Sequence, residues 1–283
     1  MLRGWTIIGC GYVGIRLGRR LLEQNTPVTA TRRSDEGCAE ISKALAEARV
    51  EQFDLAAPTD LGIDASSVVV VSSPPGPGSP ADEEAFAASL PDSARLVYIS
   101  TTGVYAAGEG REVSDMHPVA PASARGQARL QVEKAIGAAH ANSVFLRVPG
   151  IYGPRRGVHH RMLAGNYRLI GPANTLVGRI HVDDLVAALV LLGGAAELAH
   201  HEYIIGDDEP TSGREHALGV AEVLQLPEPP TVAPETVSQA IVDMLSADRR
   251  IVPKRLHALS WRPSYPSWRE GLQQALAEEA NEP

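Results

Sequence analysis

The sequence predicts an α/β protein whose core is a doubly wound parallel sheet, and three observations support this fold class. Short apolar runs typical of buried strands alternate with stretches of helical periodicity along the first 150 residues. The chain has 283 residues, of which 44% are hydrophobic and 21% charged, so it is long enough to bury a sizeable core. A glycine-rich turn joins the first predicted strand to the first predicted helix.

The elements of the first half follow from hydrophobic spacing. The apolar run at residues 5–8 predicts a buried strand, and the spacing of Val13, Leu17 and Leu21 predicts a helix over residues 13–23. The four consecutive valines at residues 68–71 are typical of a strand buried on both faces. Further strands are predicted at residues 28–31, 50–53, 96–99 and 144–146, and further helices at residues 40–48 and 122–141.

The second half is less regular. Helices are predicted at residues 183–192, 214–224 and 268–279, with a short strand at residues 203–205. Four prolines between residues 226 and 234 predict a loop. Residues 73–80 are rich in Pro and Gly and follow a predicted core strand, so they form either a ligand-facing loop or a plain surface loop.

Charge and composition exclude several classes of protein. With 26 basic and 34 acidic residues the net charge is −8, which argues against a nucleic-acid partner. Two cysteines, Cys10 and Cys38, are too few for a disulfide framework or a four-cysteine zinc site, and the histidines have no metal-ligand spacing, so no metal is expected. We expect a cytoplasmic protein without a membrane partner, because the sequence has no 20-residue apolar run and no signal peptide pattern.

The glycine-rich turn has the spacing of a dinucleotide-binding loop. Gly9, Gly11 and Gly14 form a G-x-G-x-x-G pattern around Tyr12 and Val13, directly after a predicted strand and at the start of a predicted helix. The first glycine permits a tight turn, the second a close approach to a pyrophosphate, and the third close packing of the helix on the strand. The helix N-terminus then offers free N–H groups to the phosphates. The alternative is a glycine-rich turn without a ligand.

The end of the second strand bears on the choice of cofactor. An acidic residue there would bind the ribose 2′-hydroxyl of NAD, but this chain has Arg32 and Arg33. Guanidinium groups suit a 2′-phosphate, so NADP(H) is favoured over NAD(H), with a solvated basic turn as the alternative. After the third strand, Asp54 and Leu55 are candidates for the adenine end of the cofactor site, or for an ordinary surface turn.

Four motifs in a fixed order point to a known family. They are the glycine loop, Tyr-Ile-Ser-Thr-Thr-Gly-Val-Tyr at residues 98–105, Arg-Val-Pro-Gly-Ile-Tyr-Gly-Pro at residues 147–154, and Arg-Ile-His-Val-Asp-Asp-Leu at residues 179–185. In this order the chain resembles the extended short-chain dehydrogenase/reductase family, also called the NAD-dependent epimerase/dehydratase family, over nearly its whole length. The resemblance implies a Rossmann-type sheet and a nicotinamide cofactor.

The resemblance also implies site residues, with one departure. Thr101 stands where the family orients the substrate carbonyl. The family's Tyr-x-x-x-Lys pair is replaced by Arg125 and Arg129, so the chain resembles the atypical members. Arg129 can still bind the nicotinamide ribose, and Arg125 can bind a carboxylate or phosphate through two parallel hydrogen bonds.

An arginine does not donate its proton near neutral pH, so another group must supply one. Tyr105 is the candidate by position, although this residue is usually structural or substrate-lining in the family; water or the substrate itself are the alternatives. The resemblance further places Ser73 and Pro74 beside the cofactor and Pro149 at the edge of the nicotinamide pocket.

The expected organisation is a cofactor domain and a smaller C-terminal substrate lobe. The NADP-binding domain would comprise residues 1–154 and 176–192, and the lobe residues 155–175 and 193–283. The expected function is NADP-dependent reduction of a small carbonyl or imine substrate, including anionic ones. A non-catalytic NADP-sensing protein is the first alternative, and a nucleotide-sugar epimerase or dehydratase the second. The polar face of residues 125–136 favours a monomer or weak homodimer.

Overall fold

The computed structural model describes residues 4–75 and 80–281, except for the side chain of Ala240. The chain divides into two compact units. Unit 1 contains the residues up to 100 together with 128–147 and 186–203, and unit 2 contains residues 101–127, 148–185 and those from 204 onward. This grouping places residues 101–127 in unit 2, whereas the sequence assigned them to the cofactor domain. The functional division of the chain stays a prediction.

The described residues contain thirteen strands and ten α-helices. The strands are β1 (Trp5–Ile8), β2 (Val28–Arg32), β3 (Arg49–Gln52), β4 (Val68–Val71), β5 (Arg95–Thr101), β6 (Glu112–Ser114), β7 (Ser143–Val148), β8 (Gly150–Tyr152), β9 (Leu169–Ile170), β10 (Arg179–His181), β11 (Glu202–Ile204), β12 (Thr231–Val232) and β13 (Arg250–Val252). The helices are α1 (Tyr12–Leu22), α2 (Asp35–Ala44), α3 (Ala81–Ser89), α4 (Ala124–Ala139), α5 (Val158–Leu163), α6 (Val182–Gly194), α7 (Gly213–Val223), α8 (Gln239–Leu245), α9 (Lys254–Ala258) and α10 (Trp268–Asn281). No helix in these described residues is long and apolar enough to cross a membrane.

The central sheet confirms the predicted fold class. Its seven strands lie in the order β11-β7-β5-β4-β1-β2-β3, and β1 pairs in parallel with both β2 and β4. The reversal of strand order beside β1 is the topological switch point at which doubly wound sheets bind their ligands. The glycine loop follows β1 directly, so the sheet places it at that point.

The predicted helices and strands lie within a few residues of the observed ones, except that α2 starts earlier. Ten further elements among the described residues were not predicted, namely the strands β6, β8, β9, β10, β12 and β13 and the helices α3, α5, α8 and α9. Helix α2 begins at Asp35 rather than residue 40, because Oγ of Ser34 caps it by accepting a hydrogen bond from the Gly37 amide at 3.2 Å. The loop predicted at residues 226–234 contains β12, which pairs in parallel with β9.

Each unit has its own apolar core. In unit 1 the core residues come from β1, β4, β5, β7 and the helices α3 and α4, and they include the completely buried Tyr98. In unit 2 a second cluster packs around Trp268 and includes Tyr152, Leu169 and Val220. The side chains of Tyr98 and Tyr152 place polar hydroxyl groups inside these cores. A buried tyrosine hydroxyl usually has a hydrogen-bond partner.

Candidate functional site

The glycine loop of unit 1 is shaped by close backbone contacts. Gly9 has φ +76°, and a Cβ there would lie 2.9 Å from the backbone nitrogen of Ser73. A Cβ at Gly14 would lie 3.0 Å from Cγ2 of Ile7, so this glycine permits the contact between α1 and β1. Gly11 is the N-cap of α1, which begins at Tyr12, and the next residue, Val13, is buried. The loop therefore leaves the backbone of a helix N-terminus open to a phosphate group.

Arg32 extends from the end of β2 towards this loop. A Cβ at Gly11 would lie 3.5 Å from its Nη1 atom. Its Nη2 lies 3.4 Å from Oε2 of Glu40, and its Nε is buried without a hydrogen-bond partner in the part of the chain that the structure describes. Arg33 is exposed and forms no ion pair within residues 4–75 and 80–281. The three glycines and a guanidinium with an unused donor fit the diphosphate and the 2′-phosphate of a dinucleotide.

Cys10 lies inside the glycine loop and is completely buried. Burial raises the pKa of its thiol to about 12, and the charge of Arg32 opposes this shift only in part. The thiol is therefore neutral near pH 7, and neither metal binding nor nucleophilic chemistry is expected of it.

The remaining predicted cofactor residues of unit 1 lie at the ends of β3 and β4. Asp54 is exposed, and its Oδ1 accepts a hydrogen bond from the Ala56 amide at 3.1 Å, while Leu55 packs against the unit 1 core. Oγ of Ser73 is buried and has no hydrogen-bond partner among the described residues, and Pro74 is exposed. Residues 76–79 of the predicted ligand-facing loop lie outside the described residues. The unused hydroxyl of Ser73 is a donor beside the glycine loop.

Arg129 is buried and anchored in unit 1. Its Nη1 donates to the Tyr98 hydroxyl at 2.8 Å, to the Ile99 carbonyl at 3.0 Å and to the Ser73 carbonyl at 3.5 Å. Its Nε is buried and has no partner in the described chain. Burial raises the pKa of Tyr98 to about 12, although Arg129 acts against the shift, so the phenol stays neutral. Sequence reasoning missed Tyr98, and the signal was a polar aromatic residue inside an otherwise apolar strand.

A buried ion pair lies near the same strand. The guanidinium of Arg147 donates to the Glu133 carboxylate, with Nη2 2.7 Å from Oε2, and both side chains are under 10% exposed. Oγ of Ser100 donates to Oε1 of Glu133 at 2.5 Å. Glu133 thereby links α4 to β5 and β7. Ser100 and Arg147 lie in two of the family motifs, but their contacts with Glu133 were not predicted.

In unit 2 the segment after β5 carries Thr101. Oγ1 of Thr101 accepts a hydrogen bond from the Gly103 amide at 3.1 Å, which fixes the side chain at the turn. A Cβ at Gly126 would overlap the carbonyl oxygen of Gly103, so the first turn of α4 packs closely on this segment. Arg125, the residue before Gly126, is exposed. Thr101 and Arg125 are thus attached to backbone segments that touch.

Tyr105 is completely buried in unit 2. Its carbonyl oxygen accepts a hydrogen bond from Nη2 of Arg249, and Nε of Arg249 donates to the Ala106 carbonyl at 2.7 Å. Burial lowers the pKa of Arg249, and Tyr105 opposes the shift. Pro149 is half-buried between β7 and β8 and lies 3.2 Å from the Cβ position of Gly178. The roles assigned to Tyr105 and Pro149 remain predictions.

A buried acid in unit 2 was not predicted from the sequence. Asp207 is 6% exposed, and its Oδ2 is buried without a partner among the described residues. Burial raises its pKa to about 8, which the nearby charge of Arg179 lowers only in part. Nη1 of Arg179 donates to the Thr211 carbonyl at 3.1 Å rather than to this carboxyl group. Asp207 therefore holds its proton near neutral pH.

Replacing Asp207 with asparagine is expected to change how stability depends on pH. The unfolded chain releases this proton near pH 4 and the folded protein near pH 8, so the folded state loses stability as the pH rises between these values. Asp207→Asn should raise Tm at pH 8 by about 3–6 °C and leave it nearly unchanged at pH 4. Thermal unfolding from pH 4 to pH 9 measures this, with the exposed neighbour in Asp208→Asn as the control. Equal shifts at both ends of the pH range would contradict the assignment.

No group of three or more potential metal ligands among His, Cys, Asp and Glu occurs in the part of the chain that the structure describes. The arginines beside the predicted site residues are Arg32 and Arg129 in unit 1 and Arg125 and Arg249 in unit 2.

The chain is similar to a known family model and to a curated relative. Residues 84–166 match the family model described as the RmlD substrate binding domain. A curated relative, a 3-diazoavenalumate denitrifying reductase from a Streptomyces species, is 29% identical over 158 residues. That match covers 52% of this chain and 51% of the relative, so it spans about half the length of each protein.

Solved structures share the fold over nearly the whole chain. A conserved protein of unknown function from Silicibacter pomeroyi has a TM-score of 0.83 at 26% identity, with 98% of this chain and 99% of that chain covered. A UDP-glucuronic acid 4-epimerase from Bacillus cereus, in complex with UDP-glucuronic acid and NAD, has a TM-score of 0.76 at 17% identity, with 98% and 99% covered.

Proposed function

Because the chain belongs to the extended short-chain dehydrogenase/reductase family, also called the NAD-dependent epimerase/dehydratase family, we propose that it is an NADP(H)-dependent oxidoreductase. Its substrate would be a small carbonyl or imine compound that carries negative charge. The observation that carries this proposal is the combination of an intact glycine loop with Arg32 beside it, in a chain that lacks the Tyr-x-x-x-Lys pair.

The cofactor is assigned to unit 1. The amides at the start of α1 would hold the diphosphate, Arg32 the 2′-phosphate, and Arg129 and Ser73 the ribose near the nicotinamide. When bound, NADPH supplies a hydride. Arg129 would act as a fixed donor and not as a proton source, because its guanidinium stays charged.

The substrate is assigned to residues of unit 2. The Thr101 hydroxyl, which already accepts a hydrogen bond from the Gly103 amide, would donate one to a substrate carbonyl oxygen or accept a second one from the N–H of a protonated imine. Arg125 would bind an anionic group. Such a site suits a substrate that requires no acid from the protein, for example an imine that is already protonated, since Tyr105 is buried. The Streptomyces relative is by name a reductase of 3-diazoavenalumate, which supports reduction of an anionic compound over epimerisation of a nucleotide sugar.

A second candidate function is NADP binding without turnover. The observation that favours it is the replacement of both members of the acid/base pair by arginines. This alternative shares the cofactor site with the proposed function and differs only in the absence of chemistry.

One experiment separates these two functions. Thermal shift with NADPH and NADH tests the cofactor site, and NADPH oxidation with a panel of carbonyls and imines tests turnover. Thr101→Val should lower kcat/KM by about 100-fold. The matched control is Thr236→Val in an exposed turn, which should leave kcat/KM unchanged. Stabilisation by NADPH without oxidation would favour the binding protein, and no stabilisation by either cofactor would contradict both functions.

A further inference from the structure

We propose that Arg249, together with Arg125, binds an oxyanion group of the substrate, either a carboxylate or a phosphate. This inference rests on the proposed function, because it specifies the substrate class of the same site. Both arginines belong to unit 2. The guanidinium of Arg249 donates to the carbonyl oxygens of Tyr105 and Ala106, and Arg125 precedes Gly126, whose backbone packs on Gly103 of the segment that carries Thr101.

The backbone around Arg249 is firmly held. The Arg249 amide donates to the Leu176 carbonyl at 3.3 Å, and Oδ1 of the preceding Asp248 accepts from the Leu176 amide at 2.8 Å. A Cβ at Gly108 would lie 3.0 Å from Cα of Arg249, so the chain packs against it on that side as well. The guanidinium therefore extends from a fixed point.

The guanidinium itself is oriented by neutral groups. Nε and Nη2 donate to the carbonyl oxygens of Ala106 and Tyr105, and Nη1 has no hydrogen-bond partner among residues 4–75 and 80–281. A planar guanidinium held along one edge presents its remaining N–H groups in a defined direction. This is the arrangement that recognises a planar or tetrahedral oxyanion.

Arg249 also lacks a counter-ion within the described residues, whereas three exposed cations of unit 2 form ion pairs. Arg111 pairs with Glu109, Lys254 with Glu112 and Arg269 with Glu209. Arg249 is half-buried and forms no such pair, and Tyr105, not a carboxylate, opposes the lowering of its pKa by burial. A partly buried charge without a counter-ion is costly, and an anionic ligand would remove that cost.

Arg125 supplies the second positive charge. It lies in the first turn of α4, next to the contact between Gly126 and the Gly103 carbonyl, and forms no ion pair in the described chain. It is exposed, so its side chain is free to move onto a ligand. Arg249 would fix the position of the oxyanion, and Arg125 would add charge from the helix.

Arg250 is a matched control for Arg249. It is the next residue along the chain and the first residue of β13, and its side chain is exposed. Its charge lowers the pKa of Glu112, which places it near the exposed pair formed by that glutamate and Lys254. If reduced net charge alone weakened anion binding, Arg249→Gln and Arg250→Gln would weaken it equally.

The test measures binding and turnover separately. Calorimetry with the NADPH-loaded protein compares benzoate, phenyl phosphate and the neutral benzamide, and NADPH oxidation compares 4-formylbenzoate, 4-formylphenyl phosphate and benzaldehyde. We expect one anion of each set to be preferred over the neutral compound. Arg249→Gln should lower the affinity and kcat/KM for the preferred anion by about 10- to 100-fold, and it should change those for the neutral compound by less than about 3-fold. Arg249→Lys should recover only part of the loss, and Arg250→Gln should resemble the wild type.

The outcomes distinguish the two proposals. Binding of an anion without any NADPH oxidation would support the oxyanion site and contradict the reductase. Oxidation of benzaldehyde with no preference for either anion would support the reductase and overturn the oxyanion site. If Arg249→Gln does not fold, as judged by circular dichroism, Arg125→Gln and the wild-type comparison of anion with benzamide decide the question. Failure of the wild type to prefer either anion in both assays also overturns the oxyanion site.

Discussion

Arg147→Met is expected to lower the free energy of unfolding by about 3–5 kcal/mol, because it leaves the Glu133 carboxylate buried without its cation. Glu133 is 4% exposed, and within the described residues the hydroxyl of Ser100 would be its remaining side-chain partner. The pair joins α4 to β7, so its loss should reduce the stability of unit 1 as a whole.

Urea unfolding followed by circular dichroism measures this effect. The control is Lys254→Met, which breaks an exposed ion pair with Glu112 of 2.5 Å and should cost less than about 1 kcal/mol. The double variant Glu133→Gln with Arg147→Met should recover about 1–3 kcal/mol of the loss, since no unpaired charge remains. If Arg147→Met and Lys254→Met lower the free energy of unfolding equally, burial does not determine how much these ion pairs contribute to stability.

Arg32→Ala is expected to weaken NADPH binding by about 30- to 100-fold and NADH binding by less than about 3-fold. The guanidinium lies beside the glycine loop, and a charge-assisted pair of hydrogen bonds to a 2′-phosphate has the strength to account for this difference. NADH lacks that phosphate, so its affinity should hardly depend on Arg32. Glu40→Gln should strengthen NADPH binding, because Glu40 is the carboxylate that pairs with Arg32 in the structure.

Fluorescence titration with both cofactors gives the affinities. Arg49→Ala is the matched control, since Arg49 is a largely exposed arginine of the neighbouring β3 that pairs with Glu51. If Arg32→Ala lowers the affinities for NADPH and NADH equally, a 2′-phosphate contact is ruled out. If Arg49→Ala also lowers the affinity for NADPH, the effect is a general one of charge.

The sequence by itself determined the features that depend on neighbouring residues. The strand at Trp5–Ile8, the four valines of Val68–Val71 and the glycine loop between β1 and α1 are local patterns, and the structure has them at the predicted positions. Because alternating buried strands and amphipathic helices can form few layer arrangements, these patterns also fixed the fold class.

Only the tertiary structure decided which polar side chains meet. Arg129 bonds to Tyr98, 31 residues away, Glu133 to Ser100, 33 residues away, and Arg249 to Tyr105, 144 residues away. No periodicity or spacing encodes such contacts. Strand β12 was missed for a similar reason, since its partner β9 is remote in sequence and two residues are too few to show a pattern. Burial of a polar group depends on the packing of distant elements, so the partners of each arginine follow from the fold and not from the local sequence.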